Sequence, residues 1–240
     1  MTILSRPKLV HTRRSDLGEI YRTGNVVVKQ HCMNRSDYDK EFNFLSQFNH
    51  DKIISPLRSY TKANKFCVEY KYYQEGDLHH WMGVREPKEV RDSFYRVATQ
   101  VAECVEIVHD SGMVHLDIKP ENFLVEGESI TLIDFETAEM FPEPDPRTLI
   151  NGFWKRGTTS YMAPEILQSG DYGPMSDIYS LGCLFYLITC YRFPDRAEFD
   201  SSVVAKTYPE FESCITAMLQ PNHNYRPDIK EVLSSLRSRV

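Results

Sequence analysis

The apolar residues in the first third of the chain are spaced mainly as in β-strands. Three consecutive valines in the segment Asn25–Lys29 are typical of a buried strand. Strand-like segments return at Ile53–Tyr60 and Lys65–Tyr73. Between these strands, apolar side chains recur at helical spacing, which predicts a helix from about Asp37 to Phe48. The first third therefore predicts a small β-rich lobe with one main helix.

From Glu89 onward the apolar pattern is mainly helical. One face of a long predicted helix carries Phe94, Val97, Val101, Val105 and Val108. This helix is expected to end near Ser111-Gly112, because glycine can adopt a left-handed cap. Phe123–Val125 and Ile130–Ile133 indicate a short hairpin, and helices resume after Ala163. The whole pattern predicts an α+β fold of one domain, with an N-terminal lobe of residues 1–73 and a helical lobe of residues 74–240.

The composition restricts the classes of function. The 240 residues are 41% hydrophobic and 26% charged, which argues for a folded core and against disorder. The formal net charge of -6 argues against nucleic acid as a partner. The longest apolar stretch, Leu181–Cys190, is too short to cross a bilayer, and residues 1–10 lack the apolar core of a secretory signal. We therefore expect no membrane partner and a cytoplasmic or nuclear location.

The most informative part of the sequence is a series of motifs between His115 and Glu165. It contains H-x-D-x-K-x-x-N at residues 115–122, D-F-x at residues 134–136 and G-T-x-x-Y-M-A-P-E at residues 157–165. In this order, the motifs resemble those of eukaryotic-type protein kinases. The resemblance extends from Gly18 to Arg226. It implies a bilobal kinase-like fold and transfer of the γ-phosphate of ATP, with Mg²⁺, to a hydroxyl of a protein substrate.

The resemblance also assigns the catalytic and metal-binding residues. Asp117 is expected to orient and accept the proton of the attacking hydroxyl, and Lys119 to contact the γ-phosphate. Asn122 and Asp134 are expected to hold Mg²⁺. The position of Lys119 relative to Asp117, together with Thr158, is similar to serine/threonine kinases rather than tyrosine kinases.

The first lobe carries the expected ATP-binding residues. Lys29 ends the valine strand and Glu41 lies on the following helix, which resembles the pair that positions the α- and β-phosphates in kinases. Gly18 matches the last glycine of the family's glycine-rich loop. By the same resemblance, Lys71 and Tyr73 belong to the hinge that offers backbone groups to adenine.

Two registers of this hinge are compatible with the sequence. An ungapped alignment backward from Gly76 places the gatekeeper at Tyr70 and the hinge at Lys71–Tyr73, and this is the register that we prefer. The alternative register aligns Val68-Glu69-Tyr70 with the hinge motif of the family. It places the gatekeeper at Val68 and needs a two-residue insertion.

Structural positions of the family are also matched in the second lobe. Asp177 fits the D-x-x-S-x-G helix, in which the aspartate braces the backbone of the catalytic loop. Arg226 fits the arginine that pairs with the glutamate of A-P-E, here Glu165. Thr158 lies in the segment that shapes a platform for a protein substrate.

The chain departs from the family at two places near the expected nucleotide. The two earlier glycines of the glycine-rich loop are replaced by Arg13 and Ser15, which should weaken or reshape the nucleotide lid. Glu136 replaces the glycine of D-F-G, and places a carboxylate near the expected metal, where it either repels nucleotide or acts as an extra ligand. These changes favour an alternative reading as a pseudokinase that acts as a nucleotide-binding, inhibitory or scaffold module.

Two further features bear on the class of kinase. Small-molecule kinases carry a motif similar to Ile133-Asp134-Phe135-Glu136. They carry nothing similar to G-T-x-x-Y-M-A-P-E, so this motif favours a protein substrate. Leu116 replaces the arginine that receives an activation-loop phosphate in many kinases, and we therefore expect activity without that phosphate. The short chain and its altered loop also resemble divergent kinases, including viral ones.

Overall fold

A computed structural model describes residues 8–15, 18–31, 41–152, 157–195 and 201–238. The chain separates into two compact units. The first consists of Met1–Gln74 together with Asp134–Glu136, and the second of Glu75–Ile133 and Thr137–Val240. The first unit contains a β-sheet and the second is mainly helical, so the predicted α+β class is confirmed.

The first unit contains an antiparallel sheet of five strands in the order β1-β2-β3-β5-β4. The strands are β1 (Lys8–Ser15), β2 (Gly18–Thr23), β3 (Val26–His31), β4 (Arg58–Lys62) and β5 (Lys65–Lys71). Ala63 and Asn64 form the two-residue turn between β4 and β5, and both have positive φ, as a type I′ hairpin requires. The valine strand of the sequence is β3, with Val28 buried.

The structure corrects two boundaries in this unit. Residues 41–45 are helical and are followed by a turn at residues 46–47, so the predicted helix to Phe48 ends too late; residues 37–40 lie outside the described part of the chain. The predicted strand Ile53–Tyr60 is wrong in its first half, because β4 begins at Arg58. The amide of Ile53 donates to the carbonyl of His50, and Pro56 has no amide proton to donate to a sheet.

The second unit contains most of the helices. They are α1 (Leu78–Gly83), α2 (Pro87–Asp92), α3 (Phe94–Asp110), α4 (Pro164–Gln168), α5 (Pro174–Cys190), α6 (Ser202–Thr207), α7 (Glu212–Met218) and α8 (Ile229–Arg237). Two short strand pairs accompany them, β6 (Met113–Val114) with β9 (Glu139–Met140), and β7 (Phe123–Glu126) with β8 (Ser129–Leu132). The hairpin predicted from the sequence is β7-β8.

The helical pattern seen from Glu89 onward corresponds to two helices, α2 and α3, which are divided at Ser93, and α3 is the predicted long helix. Its predicted apolar face is confirmed, since Phe94 and the four valines that follow it on that face are all buried. Gly112 has a φ of 72° directly after the end of α3, as expected for a left-handed cap.

Helix α5 lies in the core of this unit and is buried along nearly its whole length. Gly182 allows this close packing, because a Cβ at that position would lie 2.9 Å from the Cβ of Met218 in α7. The first turn of α5 carries the fully buried Asp177. A helix held on all sides can therefore fix a polar side chain in the interior with little freedom to move.

Candidate active site

The first unit holds a cluster of one lysine and three carboxylates. The Nζ atom of Lys29 on β3 lies 2.9 Å from Oε1 of Glu41, 3.2 Å from Oδ1 of Asp134 and 2.7 Å from Oε1 of Glu136. Asp134 is 105 positions away from Lys29 in the sequence, so the tertiary structure alone creates this contact. The sequence had singled out each of these residues, but not the contact between Lys29 and Glu136.

The charges in this cluster shift the pKa values of its members. Burial opposes the charge of Lys29, but Asp134, Glu41 and Glu136 more than offset it, and the pKa of Lys29 lies well above its usual value. Burial raises the pKa of Glu41, and the neighbouring Lys29 offsets only part of this effect. Lys29 therefore stays a cation, which is what binding to phosphate oxygens requires.

The second unit holds Asp117 in a network of donors. Its Oδ1 accepts hydrogen bonds from the amide and the hydroxyl of Thr158, both at 2.8 Å. Its Oδ2 accepts from Nζ of Lys119 and, at 3.0 Å, from Nδ2 of Asn122. Nζ of Lys119 also donates to the hydroxyl of Thr158 at 2.8 Å. Lys119 and Asn122 from the same motif as Asp117, and Thr158 from a later motif, thus meet around one carboxylate.

Asp177 shapes the backbone that presents Asp117. Its two carboxylate oxygens accept the amides of His115 and Leu116, each at 2.8 Å, and Nε2 of His109 lies 3.0 Å from Oδ2. Burial opposes the ionisation of Asp177, but these hydrogen bonds outweigh it and hold its pKa below the usual value. Leu116 has a φ of 65°, a conformation that few non-glycine residues adopt, and these bonds help to maintain it.

Asn122 connects this loop to the segment before Asp134. Its amide nitrogen donates to the backbone carbonyl of Asp117 at 2.8 Å, and its own carbonyl accepts the amide of Ile133 at 2.9 Å. Nε2 of His115 lies 3.1 Å from the carbonyl of Ile133. Asp134 follows Ile133 directly and has a φ of 67°, so its backbone also adopts an uncommon conformation.

Glu165 and Arg226 form a buried ion pair in the second unit. The two guanidinium nitrogens of Arg226 donate to the two oxygens of Glu165 at 2.7 and 2.8 Å. The hydroxyl of Ser176 donates to Oε1 of Glu165 at 2.8 Å. Burial opposes ionisation of Glu165, but Arg226 holds its pKa below the usual value. This pair joins the start of α4 to the segment before α8.

The remaining predicted residues lie in the first unit. Gly18 is the first residue of β2. Lys71 is the exposed last residue of β5, with its Nζ 5.3 Å from the ring centroid of Tyr73. The amide of Tyr72 donates to the carbonyl of Asn25 at 2.9 Å, so the chain leaves the sheet after β5 at the segment where the ungapped register puts the hinge. The assignment of the hinge stays a prediction.

Two of the predicted residues carry oxygen atoms of the kind that Mg²⁺ prefers. Asp134 in the first unit has a carboxylate, and Asn122 in the second unit has an amide oxygen. Within the described ranges, no group of three or more His, Cys, Asp and Glu side chains is arranged to hold a metal by itself. The assignment of these two residues to Mg²⁺ stays a prediction.

Comparison with known proteins identifies the family of this chain. Residues 20–238 match the protein kinase domain. The chain belongs to the protein kinase domain family, as the sequence motifs indicated.

Three relatives illustrate the similarity. A probable serine/threonine-protein kinase gdt4 of Dictyostelium discoideum is 30% identical over 185 residues, which cover 74% of this chain and 11% of that protein. A RAC family serine/threonine-protein kinase homolog of the same organism is 28% identical, covering 75% of this chain and 40% of that protein. A calcium/calmodulin-dependent protein kinase type 1 of Caenorhabditis briggsae is 26% identical, covering 80% and 53%.

The chain spans only part of these relatives, between 11% and 53% of their length. Two of the three are named serine/threonine-protein kinases, and their names lend no support to the viral resemblance. Within the described part of the chain, no helix has the length and apolar character needed to cross a membrane.

Proposed function

We propose that this chain is a serine/threonine protein kinase that transfers the γ-phosphate of Mg²⁺-bound ATP to a hydroxyl of a protein. The observation that carries the proposal is the environment of Asp117, whose carboxylate is held by Lys119, Thr158 and Asn122. A carboxylate fixed in this way can receive a hydroxyl proton in a defined direction. A basic side chain beside it can contact the phosphoryl group that moves.

Each residue then has a distinct role in the proposed reaction. Asp117 orients the attacking hydroxyl and accepts its proton, and Lys119 contacts the γ-phosphate. Asn122 and Asp134 hold Mg²⁺, which offsets the charge of the phosphates when it is bound. Because phosphoryl transfer depends mostly on positioning and electrostatics, the hydrogen bonds that fix these side chains are themselves part of the catalytic device.

Lys29 and Glu41 serve nucleotide binding in this proposal. Glu41 holds the ammonium of Lys29 through both carboxylate oxygens, at 2.9 and 3.0 Å. A buried carboxylate that already binds the lysine reduces the entropy that is lost when the lysine contacts phosphate. We assign Lys29 to the α- and β-phosphates on this basis.

The preference for serine and threonine is supported by the contact between Lys119 and Thr158 and by the names of the two Dictyostelium discoideum relatives. The platform motif at residues 157–165 supports a protein substrate over a small molecule. The chain's own substrate is therefore proposed to be a serine or threonine hydroxyl in a protein.

A pseudokinase is the second candidate, and the contact between Glu136 and Lys29 favours it specifically. Glu136 lies 2.7 Å from the lysine that the kinase proposal assigns to phosphate. The replacement of two loop glycines by Arg13 and Ser15 also supports the pseudokinase hypothesis. In this case the chain would transfer no phosphate and would act as a nucleotide-binding, inhibitory or scaffold module.

A transfer assay distinguishes the two candidates. The purified chain would be incubated with γ-labelled ATP, Mg²⁺ and a generic protein substrate, beside Asp117→Asn and the control Asp110→Asn. Asp110 is an exposed surface residue paired with Lys230. We expect Asp117→Asn to lower the rate by about 100- to 10,000-fold and the control to keep the wild-type rate.

Equal labelling by the wild type and Asp117→Asn would contradict the kinase proposal. Stabilisation of the wild type by ATP without any transfer would favour the pseudokinase. Absence of both nucleotide binding and transfer would leave a scaffold role.

A further inference from the structure

The ammonium of Lys29 has more carboxylate partners than a phosphate-binding lysine needs. The hydrogen bonds of this ammonium go to both oxygens of Glu41 and to Asp134, and Glu136 lies beside them as a third carboxylate. Glu136 makes the shortest of these contacts, at 2.7 Å. A phosphate oxygen that approaches Lys29 must therefore compete with these three carboxylates for its ammonium.

The exposure of the three carboxylates indicates which one can move. The side chain of Glu41 is 5% exposed, whereas that of Glu136 is 26% exposed. Moving Glu41 would strand a buried charge, but Glu136 can rotate into water at lower cost. Asp134 is 29% exposed, but the proposed function assigns it to the metal.

From this geometry we propose that Glu136 occupies the position on Lys29 that a phosphate of ATP takes, and thereby lowers the affinity of the site for nucleotide. The inference rests on the proposed function for the location of the phosphates. With all three carboxylates ionised, the cluster carries a net charge of -2, and a triphosphate must approach against it. Displacing Glu136 removes the competing anion from Lys29 and separates it from the incoming phosphate.

The side chain of Glu136, and not its backbone, carries this effect. Glu136 does not have the positive φ that requires glycine, unlike Asp134 two positions earlier. Replacing Glu136 by glutamine therefore keeps the size and the backbone of the residue and removes only the charge. This makes Glu136→Gln the informative variant, and Glu136→Gly a second one that removes the side chain entirely.

The test compares ligands with and without phosphate. Isothermal titration calorimetry would give the dissociation constants of ATP and of adenosine in the presence of excess EDTA. The dissociation constant of ATP would also be measured with Mg²⁺. The proteins are the wild type, both Glu136 variants and Glu143→Gln, which removes a charge from an exposed loop position outside the cluster. We expect both Glu136 variants to bind ATP about three- to tenfold more tightly. The affinity of both Glu136 variants for adenosine should equal that of the wild type. All dissociation constants of Glu143→Gln should also equal those of the wild type.

Three results would overturn the proposal. Equal ATP affinity in the wild type and Glu136→Gln would mean that the carboxylate does not compete. Equal gains for ATP and adenosine would indicate a general change of the site. Weaker binding of Mg²⁺-ATP by Glu136→Gln would assign Glu136 to the metal instead.

The proposed kinase activity can fail separately. If ATP binding follows the expected pattern while no protein transfers phosphate, the competition by Glu136 stands and the kinase proposal is wrong. If none of the proteins binds ATP, even after the removal of Glu136, both are wrong.

Discussion

Arg226 is a buried guanidinium with every N–H group accepted. Nη1 and Nη2 each donate one proton to Glu165, and the remaining protons go to backbone carbonyls of Met175, Pro221 and Gln220. Arginine has five N–H donors, so this set accounts for all of them. Such complete satisfaction is the condition under which a buried ion pair can offset the loss of its hydration.

Replacing Arg226 by alanine should therefore be severe. The change leaves the carboxylate of Glu165 and three carbonyls without their donors, and we expect the free energy of unfolding to fall by about 3–5 kcal/mol. Arg237→Ala is the control, because Arg237 is half-exposed in its pair with Glu103 and should contribute less than about 1 kcal/mol. Urea denaturation measures both. Similar losses in the free energy of unfolding for the two variants would show that burial does not increase the contribution of the Arg226–Glu165 pair to stability.

Asp177 makes a pH-dependent contribution to the stability of the folded chain. Its pKa is held below the usual value in the folded chain, so its contribution to stability is present above the unfolded pKa of about 3.9 and disappears as the pH falls through the folded value. We expect Asp177→Asn to cost about 2–3 kcal/mol near neutral pH, and the difference from wild type to shrink below about pH 4. Denaturation curves at several pH values test this. A difference that stays constant with pH would contradict it.

At the scale of elements, the loop that carries Asp117 packs closely against the segment that begins at Gly157. A Cβ at Gly157 would lie 2.2 Å from the carbonyl oxygen of Leu116, and Gly157 has a φ of 94°. Only glycine fits both conditions. The amide of the next residue, Thr158, donates to Asp117, so this packing controls the direction of the carboxylate.

Gly157→Ala should accordingly impair both folding and transfer. Gly127→Ala is a matched control, since Gly127 also has positive φ, at 61°, but has open space around a Cβ. The control should lower the free energy of unfolding by about 1–2 kcal/mol from backbone strain alone. We expect a larger loss for Gly157→Ala, together with a fall in the rate of transfer that the control does not share. Equal stability and equal rates would refute the role of close packing.

Leu116 packs in an apolar cluster that involves the segment between Asp134 and α4. The cluster consists of Val114, Leu116, Phe141, Met162 and Ile166, with Ile150, Leu167 and Tyr172 packed against it. Ile150 and Tyr172 also exchange two backbone hydrogen bonds, at 2.8 and 3.0 Å. Burial of apolar surface therefore stabilises the described residues of this segment, at the place where many kinases use a phosphate and an arginine.

The double variant Thr148→Ala, Thr159→Ala should therefore keep most of its transfer activity. Neither hydroxyl is needed to carry a phosphate if the apolar cluster already orders the segment. The rate of transfer to a generic protein substrate measures this, with Thr158→Ala as the contrasting variant that loses its bonds to Asp117 and Lys119. Complete loss in the double variant, with its fold intact by circular dichroism, would contradict the prediction.

At the scale of the whole molecule, nucleotide binding should stabilise the folded chain. Ligand at about 100 times its dissociation constant adds about 2.7 kcal/mol, which for a chain of this size raises Tm by about 5–10 °C. Lys29→Met should remove most of this rise, whereas Lys88→Met, at an exposed position, should retain it. Thermal scans with and without Mg²⁺-ATP give the two shifts. An equal rise in both variants would exclude Lys29 as a phosphate contact.

The sequence was most predictive where local rules apply. The buried face of α3, its glycine cap and the β7-β8 hairpin follow from apolar spacing and turn chemistry, and the structure confirms them. The boundaries near Phe48 and Ile53 were wrong, because the ends of elements depend on hydrogen bonds and packing that short-range patterns do not contain.

The sequence by itself determined which chemical groups are available and the family to which the chain belongs, because the motifs keep their order and spacing. Only the tertiary structure decided which groups meet. Lys29 and Glu136 are far apart in the chain, and no periodicity relates them; their contact exists because Asp134–Glu136 belongs to the same compact unit as β3. Side-chain contacts of this kind are determined by packing in three dimensions, and a linear pattern does not specify them.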